Sequence, residues 1–152
     1  MNRREIIAGL AMAAAFLIGA YSAAASDSME EAQALVARTI AYYAENGAEA
    51  TIAAVNAGGA FRQGELYVFV IGPDGTNVAN AADQTNLGKD SRMLQDPDGK
   101  FYGAEILERA TAEGAWVDYK RLNPANGKIQ PKTSWVRKVE GYVIGCGIYR
   151  NE

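Results

Sequence analysis

The sequence predicts an α+β domain, a five-stranded antiparallel sheet with a long N-terminal helix packed against it. Three stretches carry that expectation. Gly114 to Tyr149 reads as a meander of three strands, Glu65 to Ile71 as the clearest single strand, and Ser28 to Glu45 as an amphipathic helix.

In the meander the first strand runs from about Ala115 to Arg121 and the second from about Lys132 to Val139. Between them lies a turn-rich loop holding Asn123, Pro124, Asn126, Gly127 and Pro131. The third strand is Tyr142 to Tyr149, reached through Glu140-Gly141, a pair short enough for a tight hairpin. Along it Tyr142, Ile144, Cys146 and Ile148 alternate with Val143, Gly145, Gly147 and Tyr149, so one face is apolar and the other stripped of bulk. Glycine inside a strand points to a bulge, a sharp twist or something packed close against the backbone. In the second strand Lys132, Ser134 and Val136 share one face, opposite Thr133, Trp135 and Arg137.

The chain opens with a basic stretch, Met1 to Arg4, then an apolar run, Ile6 to Ala20, then the small residues Tyr21 to Ala25. That order is the pattern of a cleaved secretory signal over residues 1–25, with the membrane engaged only during export. The apolar run falls short of the roughly 20 residues a spanning helix needs. Residues 26–152 then form one domain, placed in the periplasm or secreted. Arg3, Arg4 and Glu5 leave with the signal, so the 15 basic and 18 acidic residues become 13 and 17. With no basic patch, nucleic acid is not an expected partner. The lone Cys146 forbids an internal disulfide and reads as a small buried side chain.

Along the rest of the chain, Ser28 and Glu31 fit a capping box, and Met29, Ala32, Val36, Ile40 and Tyr43 recur at helical spacing. Asn46-Gly47 stops that helix, and a shorter one follows from Ala48 to Asn56. Pro73-Asp74-Gly75 turns the Glu65 to Ile71 strand back into a partner at Thr76 to Ala79. Asn80 to Lys100 is an ordered loop with one helical turn near Ser91 to Leu94, and Phe101 to Ala112 is an amphipathic helix ending at Gly114. Helix, helix, two strands, loop, helix and three strands make a PAS-like arrangement.

The chain has no histidine, which removes the commonest general base, the commonest zinc ligand and every Ser-His or Cys-His pairing. No Walker loop, nucleophile elbow or complete calcium loop is present. Asp96 and Asp98 read as turn residues. The expectation is therefore a protein with no catalytic residues, no metal and no cofactor. What remains is a set of aromatics and one cation on the expected strands: Tyr67, Phe69, Trp116, Tyr119, Lys132 and Trp135. A lysine point charge with tyrosine and indole donors on apolar walls suits a small organic acid.

The ordered motifs ELYVFVIGPDG, NLGKD, DPDGKFY, GAWVDY, NP, PKTSWV and GYVIGCGIY resemble those of the single Cache domain, type 2. The likeness spans nearly the whole of residues 26–152. It implies a long N-terminal helix, a PAS-like sheet and a pocket for short carboxylic acids in an extracytoplasmic sensor module. Lys132, Trp116 and Tyr119 match its pattern, while Tyr67, Phe69 and Trp135 rest on the strand argument. Where many relatives carry His-Pro after the second strand, this chain has Asn80-Ala81. Relatives attached to receptors or kinases continue into a signalling domain, so a chain ending at Glu152 is expected to be a freestanding exported module. Its expected partner is a membrane sensor or transporter protein. The other reading is an envelope protein-protein interaction module with no small-molecule ligand.

Overall fold

The computed structural model describes residues 13–151, with side chains from Ser28 onward. The expected signal falls on residues 1–25, of which 1–12 lie outside the described residues. Helix α1 (Ala13–Asn56) is interrupted at Gly47, whose φ of 82° and ψ of 176° break the helical path. The stop at Asn46-Gly47 and the shorter segment after it are thus both present. The start differs, because α1 is already helical before Ser28. Alanine, the strongest helix former, fills three positions from Ala23 to Ala25 and lets the helix continue where the capping box alone would begin it.

Six strands follow in one antiparallel sheet: β1 (Arg62–Gln63), β2 (Leu66–Ile71), β3 (Asn77–Asn80), β4 (Ala115–Asn123), β5 (Lys128–Val139) and β6 (Tyr142–Tyr149). The strand order is β1-β2-β6-β5-β4, with β3 also on β2. Because β3 and β6 pair with the same β2 residues from opposite edges, β1 and β3 share one edge and the sheet is five strands wide. The unexpected strand, β1, is only two residues long and folds back through Gly64 at φ 58°.

The loop between β4 and β5 is shorter than expected. The two strands pair as far as Asn123 with Lys128, and Pro131 stands inside β5 opposite Lys120. Its carbonyl accepts from Arg150 N at 2.8 Å, so its missing N–H points to the same side, where β6 has ended, and no bond to β4 is lost. At the other end, Glu140 and Gly141 both have positive φ, 49° and 86°, as a two-residue hairpin turn requires. Tyr43 Oη donates to Glu140 Oε2 at 2.7 Å and ties α1 to that turn. The carboxylate acceptor, helped by burial, pushes the Tyr43 pKa up to about 12.

The alternation along the strands divides the core in two. On one face Leu66, Val68, Val70, Ile144, Cys146 and Ile148 pack against Ala32, Leu35, Val36 and Val55 of α1. Burying each large aliphatic side chain contributes about 1.5–3 kcal/mol. Cys146 is fully buried, and desolvation pushes its thiol up to about 11. On the other face Phe69, Ile71, Val117, Tyr119, Val136 and Val143 meet helix α2 (Tyr102–Arg109) through Tyr102 and Ile106.

The long loop after β3 lies over this second face. It is laced to β3 by Asn77 N to Lys89 O at 2.9 Å and Gly88 N to Asn77 O at 2.9 Å. The expected helical turn is the 3-10 segment Ser91–Met93, where the Asp90 carboxylate accepts from Arg92 N. Asp96 spends its carboxylate on backbone, accepting from Asp98 N, Lys100 N and Lys120 N at 2.9–3.2 Å. The last of these bonds covers part of the open edge of β4.

Candidate functional site

Between the sheet, α2 and the loop after β3 lies a cavity with about 40 Å³ of space for the centres of water-sized atoms, several times what one water needs. Strand parity decides what reaches it. Tyr67, Phe69 and Ile71 of β2, Tyr119 and Arg121 of β4 and Lys132 of β5 all line it. Tyr119 pairs directly with Lys132, which places the phenol and the ammonium side by side.

Of the six residues expected from the sequence, Tyr67, Phe69, Tyr119 and Lys132 come together here. Trp116 and Trp135 do not. They are register partners on the opposite face, 5.3 Å apart between ring centroids, and pack against the core under α1.

Lys132 is 3% exposed. Its Nζ donates to Tyr67 Oη at 3.0 Å and stands 4.3 Å from the Tyr67 ring centroid and 5.1 Å from that of Tyr149. Cation-π contacts of this kind stabilise a desolvated cation by about 2 kcal/mol. The Tyr67 and Tyr149 hydroxyls are 2.6 Å apart, and Tyr149 donates to Leu122 O at 3.0 Å. With its proton committed to Leu122, Tyr149 accepts from Tyr67, so the donors run in one direction from Lys132 to the end of β4. Burial alone would lower the Lys132 pKa. The oxygens of Tyr119, Tyr67 and Tyr149, with the hydrogen bond to Tyr67, work against that and raise it. Burial would raise the Tyr67 pKa, but the Lys132 charge and hydrogen bond lower it. Among the described residues no carboxylate lies within ion-pair distance of Lys132.

The two strand glycines of β6 make room for these groups. A Cβ on Gly147 would sit 2.3 Å from Ser134 Oγ and 2.5 Å from Lys132 Cε. One on Gly145 would sit 2.3 Å from Phe69 Cζ. The bulk missing from that face is the channel through which the Lys132 stem and the Phe69 ring pass.

Several lining residues went unnoticed in the sequence. Arg121 shares the parity of Tyr119 two positions on, a signal that was available. Its Nη2 meets Asp83 Oδ2 at 2.7 Å and its Nη1 donates to Tyr102 Oη at 3.2 Å. Asn86, in the amide orientation that satisfies both its atoms, accepts from Arg121 at 2.9 and 3.1 Å. Burial works against the Asp83 carboxylate, yet the Thr85 hydroxyl and N–H, with the Arg121 charge, hold its pKa below the usual carboxylate range. Tyr102 stacks flat on Tyr119 at 4.5 Å. Ser91 Oγ is buried without a hydrogen-bond partner and lines the same cavity, which no local pattern announces. Asn80 also lines it. Its Oδ1 accepts from Ala82 N and Asp83 N at 2.9 and 2.7 Å, building the turn after β3 by hydrogen bonds.

The family model described as Single Cache domain 2 matches residues 2–152. The chain belongs to that family. Cache domains are extracytoplasmic, signal-sensing modules that bind small molecules. Over 88 residues this Cache domain is 33% identical to the sensor histidine kinase MctS of Rhizobium johnstonii, a match covering 57% of the chain and 19% of the kinase. In fold it is similar to a methyl-accepting chemotaxis protein from Vibrio parahaemolyticus, with a TM-score of 0.70 at 16% identity over 88% of this chain and 95% of that one. The periplasmic sensor domain of a chemotaxis protein gives 0.63 at 26% identity over 88% and 98%. A Cache chemosensory domain studied for carboxylic acid recognition gives 0.58 at 17% identity over 89% and 97%. Among the described residues no helix is long and apolar enough to cross a membrane.

Proposed function

We propose that this Cache domain is an exported receptor, freed of residues 1–25, that captures a short-chain carboxylate on Lys132 and presents its occupied state to a membrane sensor or transporter. The observation that carries the reading is the buried ammonium facing a cavity with no carboxylate partner among the described residues. A carboxylate there would pair the one cavity cation that no acidic side chain among the described residues neutralises. Ser91 Oγ is the second open valence and supplies a hydroxyl to the occupant. Phe69, Ile71 and Ile106 offer its carbon chain an apolar wall. A fold neighbour linked to carboxylic acid recognition is consistent with this ligand class, but at 17% identity it adds only the fold.

The test is a thermal-shift and calorimetric screen of acetate, propionate, pyruvate and lactate against residues 26–152. A ligand at a hundred times its dissociation constant stabilises the fold by about 2.7 kcal/mol. Because the Lys132 pKa is raised, the shift is expected to stay flat from about pH 6 to 9 and to weaken only as the ligand's own carboxylate protonates, first for acetate and propionate and at lower pH for lactate and pyruvate, whose electron-withdrawing α-substituents make them stronger acids. If none of these acids moves the melting point, the reading is wrong. Ser91→Ala is expected to leave the empty protein as stable or more stable by about 1 kcal/mol, since it removes an unsatisfied hydroxyl, while weakening the ligand roughly fivefold. A hydroxyl with only a structural role would leave the affinity unmoved.

A further inference from the structure

The cavity holds two cations, and they are not equivalent. The Arg121 fork is spoken for: Asp83 neutralises it, and Tyr102 and Asn86 take further donors. Asp83 is itself fixed from both sides. Its Oδ1 accepts from Thr85 Oγ1 at 2.7 Å and Thr85 N at 3.1 Å, leaving Oδ2 on Arg121 at 2.7 Å. Both partners of the pair are mostly buried, with side chains 12% and 18% exposed. Asp83 and Arg121 therefore bring no net charge to the cavity wall, and Lys132 brings one positive charge.

Resting on the carboxylate reading above, we infer that Asp83 is the specificity-determining residue of the site: by balancing the Arg121 charge it makes the cavity accept a monoanion and reject a dicarboxylate. A single carboxylate on Lys132 closes the charge balance of the pocket. A second one would have to share Arg121 with a pinned anion, and the two like charges repel at that range.

The experiment compares malonate with its monoamide, malonamate, which has nearly the same shape and one charge fewer. Calorimetry at pH 8 is run on the wild type and on Asp83→Asn. The wild type is expected to prefer malonamate by roughly tenfold or more, and Asp83→Asn to shift that preference at least tenfold toward malonate. Equal affinities in the wild type overturn the inference, as does an Asp83→Asn protein with native circular dichroism and an unchanged preference. If Asp83→Asn does not fold, Asp83→Ser takes its place, and an unchanged preference in that folded variant likewise overturns the inference. Failure of the inference is distinguishable from failure of the reading beneath it. Monocarboxylates binding without charge discrimination defeat only the role of Asp83, whereas no short acid binding at all defeats both.

Discussion

Lys132→Met is expected to weaken carboxylate binding by about a hundredfold or more while leaving the domain folded. Methionine nearly matches the lysine stem in volume and lies in the same channel beside Gly147. Losing one partner of a buried charge pair costs the complex about 2–5 kcal/mol. In the empty protein an apolar group replaces the buried ammonium, which relieves its desolvation but forfeits the contacts with the Tyr67 and Tyr149 rings, worth about 2 kcal/mol. The hydrogen bond to Tyr67 is lost with it, at about 1 kcal/mol. Thermal melts with and without ligand separate the two effects: the empty protein keeps a cooperative transition and the ligand-induced shift disappears. A variant that keeps its shift would show that the anion is held elsewhere.

Gly103→Ala is the second large effect, and local propensity has the wrong sign for it. Alanine is better than glycine in a helix by about 1 kcal/mol, so α2 alone would gain. The position does not allow it. A Cβ there would stand 1.9 Å from Ser91 O and 2.7 Å from Ser91 C, backbone atoms anchored by Ser91 N to Gly75 O at 2.8 Å and Leu94 N to Ser91 O at 3.1 Å. Neither side can give, so the cost is at the top of the overpacking range, about 3 kcal/mol. With a urea m-value of about 1–3 kcal/mol/M, the unfolding midpoint falls by roughly 1–3 M. Ligand affinity falls as well, because Ser91 is displaced from the cavity wall. An unchanged or raised midpoint would mean that α2 does not pack on the Ser91 turn.

The strands that order the sheet were legible because Leu66 to Ile71 and Tyr142 to Tyr149 carry strong local patterns, and the Glu140-Gly141 turn leaves one register available. Two residues of β1 carry no pattern to read. Pro131 hid the first third of β5, since proline marks a break only when its N–H side faces a partner strand. Trp116 and Trp135 show a different failure. Each stands an odd number of positions from a pocket residue, three from Tyr119 and three from Lys132, so alternation already put them on the other face. Chemistry was weighed there ahead of parity. Asp83 and Ser91 lie in the long loop, whose path is fixed by backbone bonds to β3 and to Gly75, and nothing local foretells which of its side chains face inward. The glycines of β6 were visible as an anomaly, and the structure supplies the reason in Lys132 Cε and the Phe69 ring.

The most direct test of the central claim is a crystal structure of residues 26–152 grown with a saturating short monocarboxylate such as propionate. A carboxylate oxygen is expected about 2.7–2.9 Å from Lys132 Nζ, with Ser91 Oγ in reach of the same molecule and the Asp83–Arg121 pair intact. An empty cavity at saturating ligand, or a carboxylate bound on Arg121 with Lys132 unengaged, would contradict it.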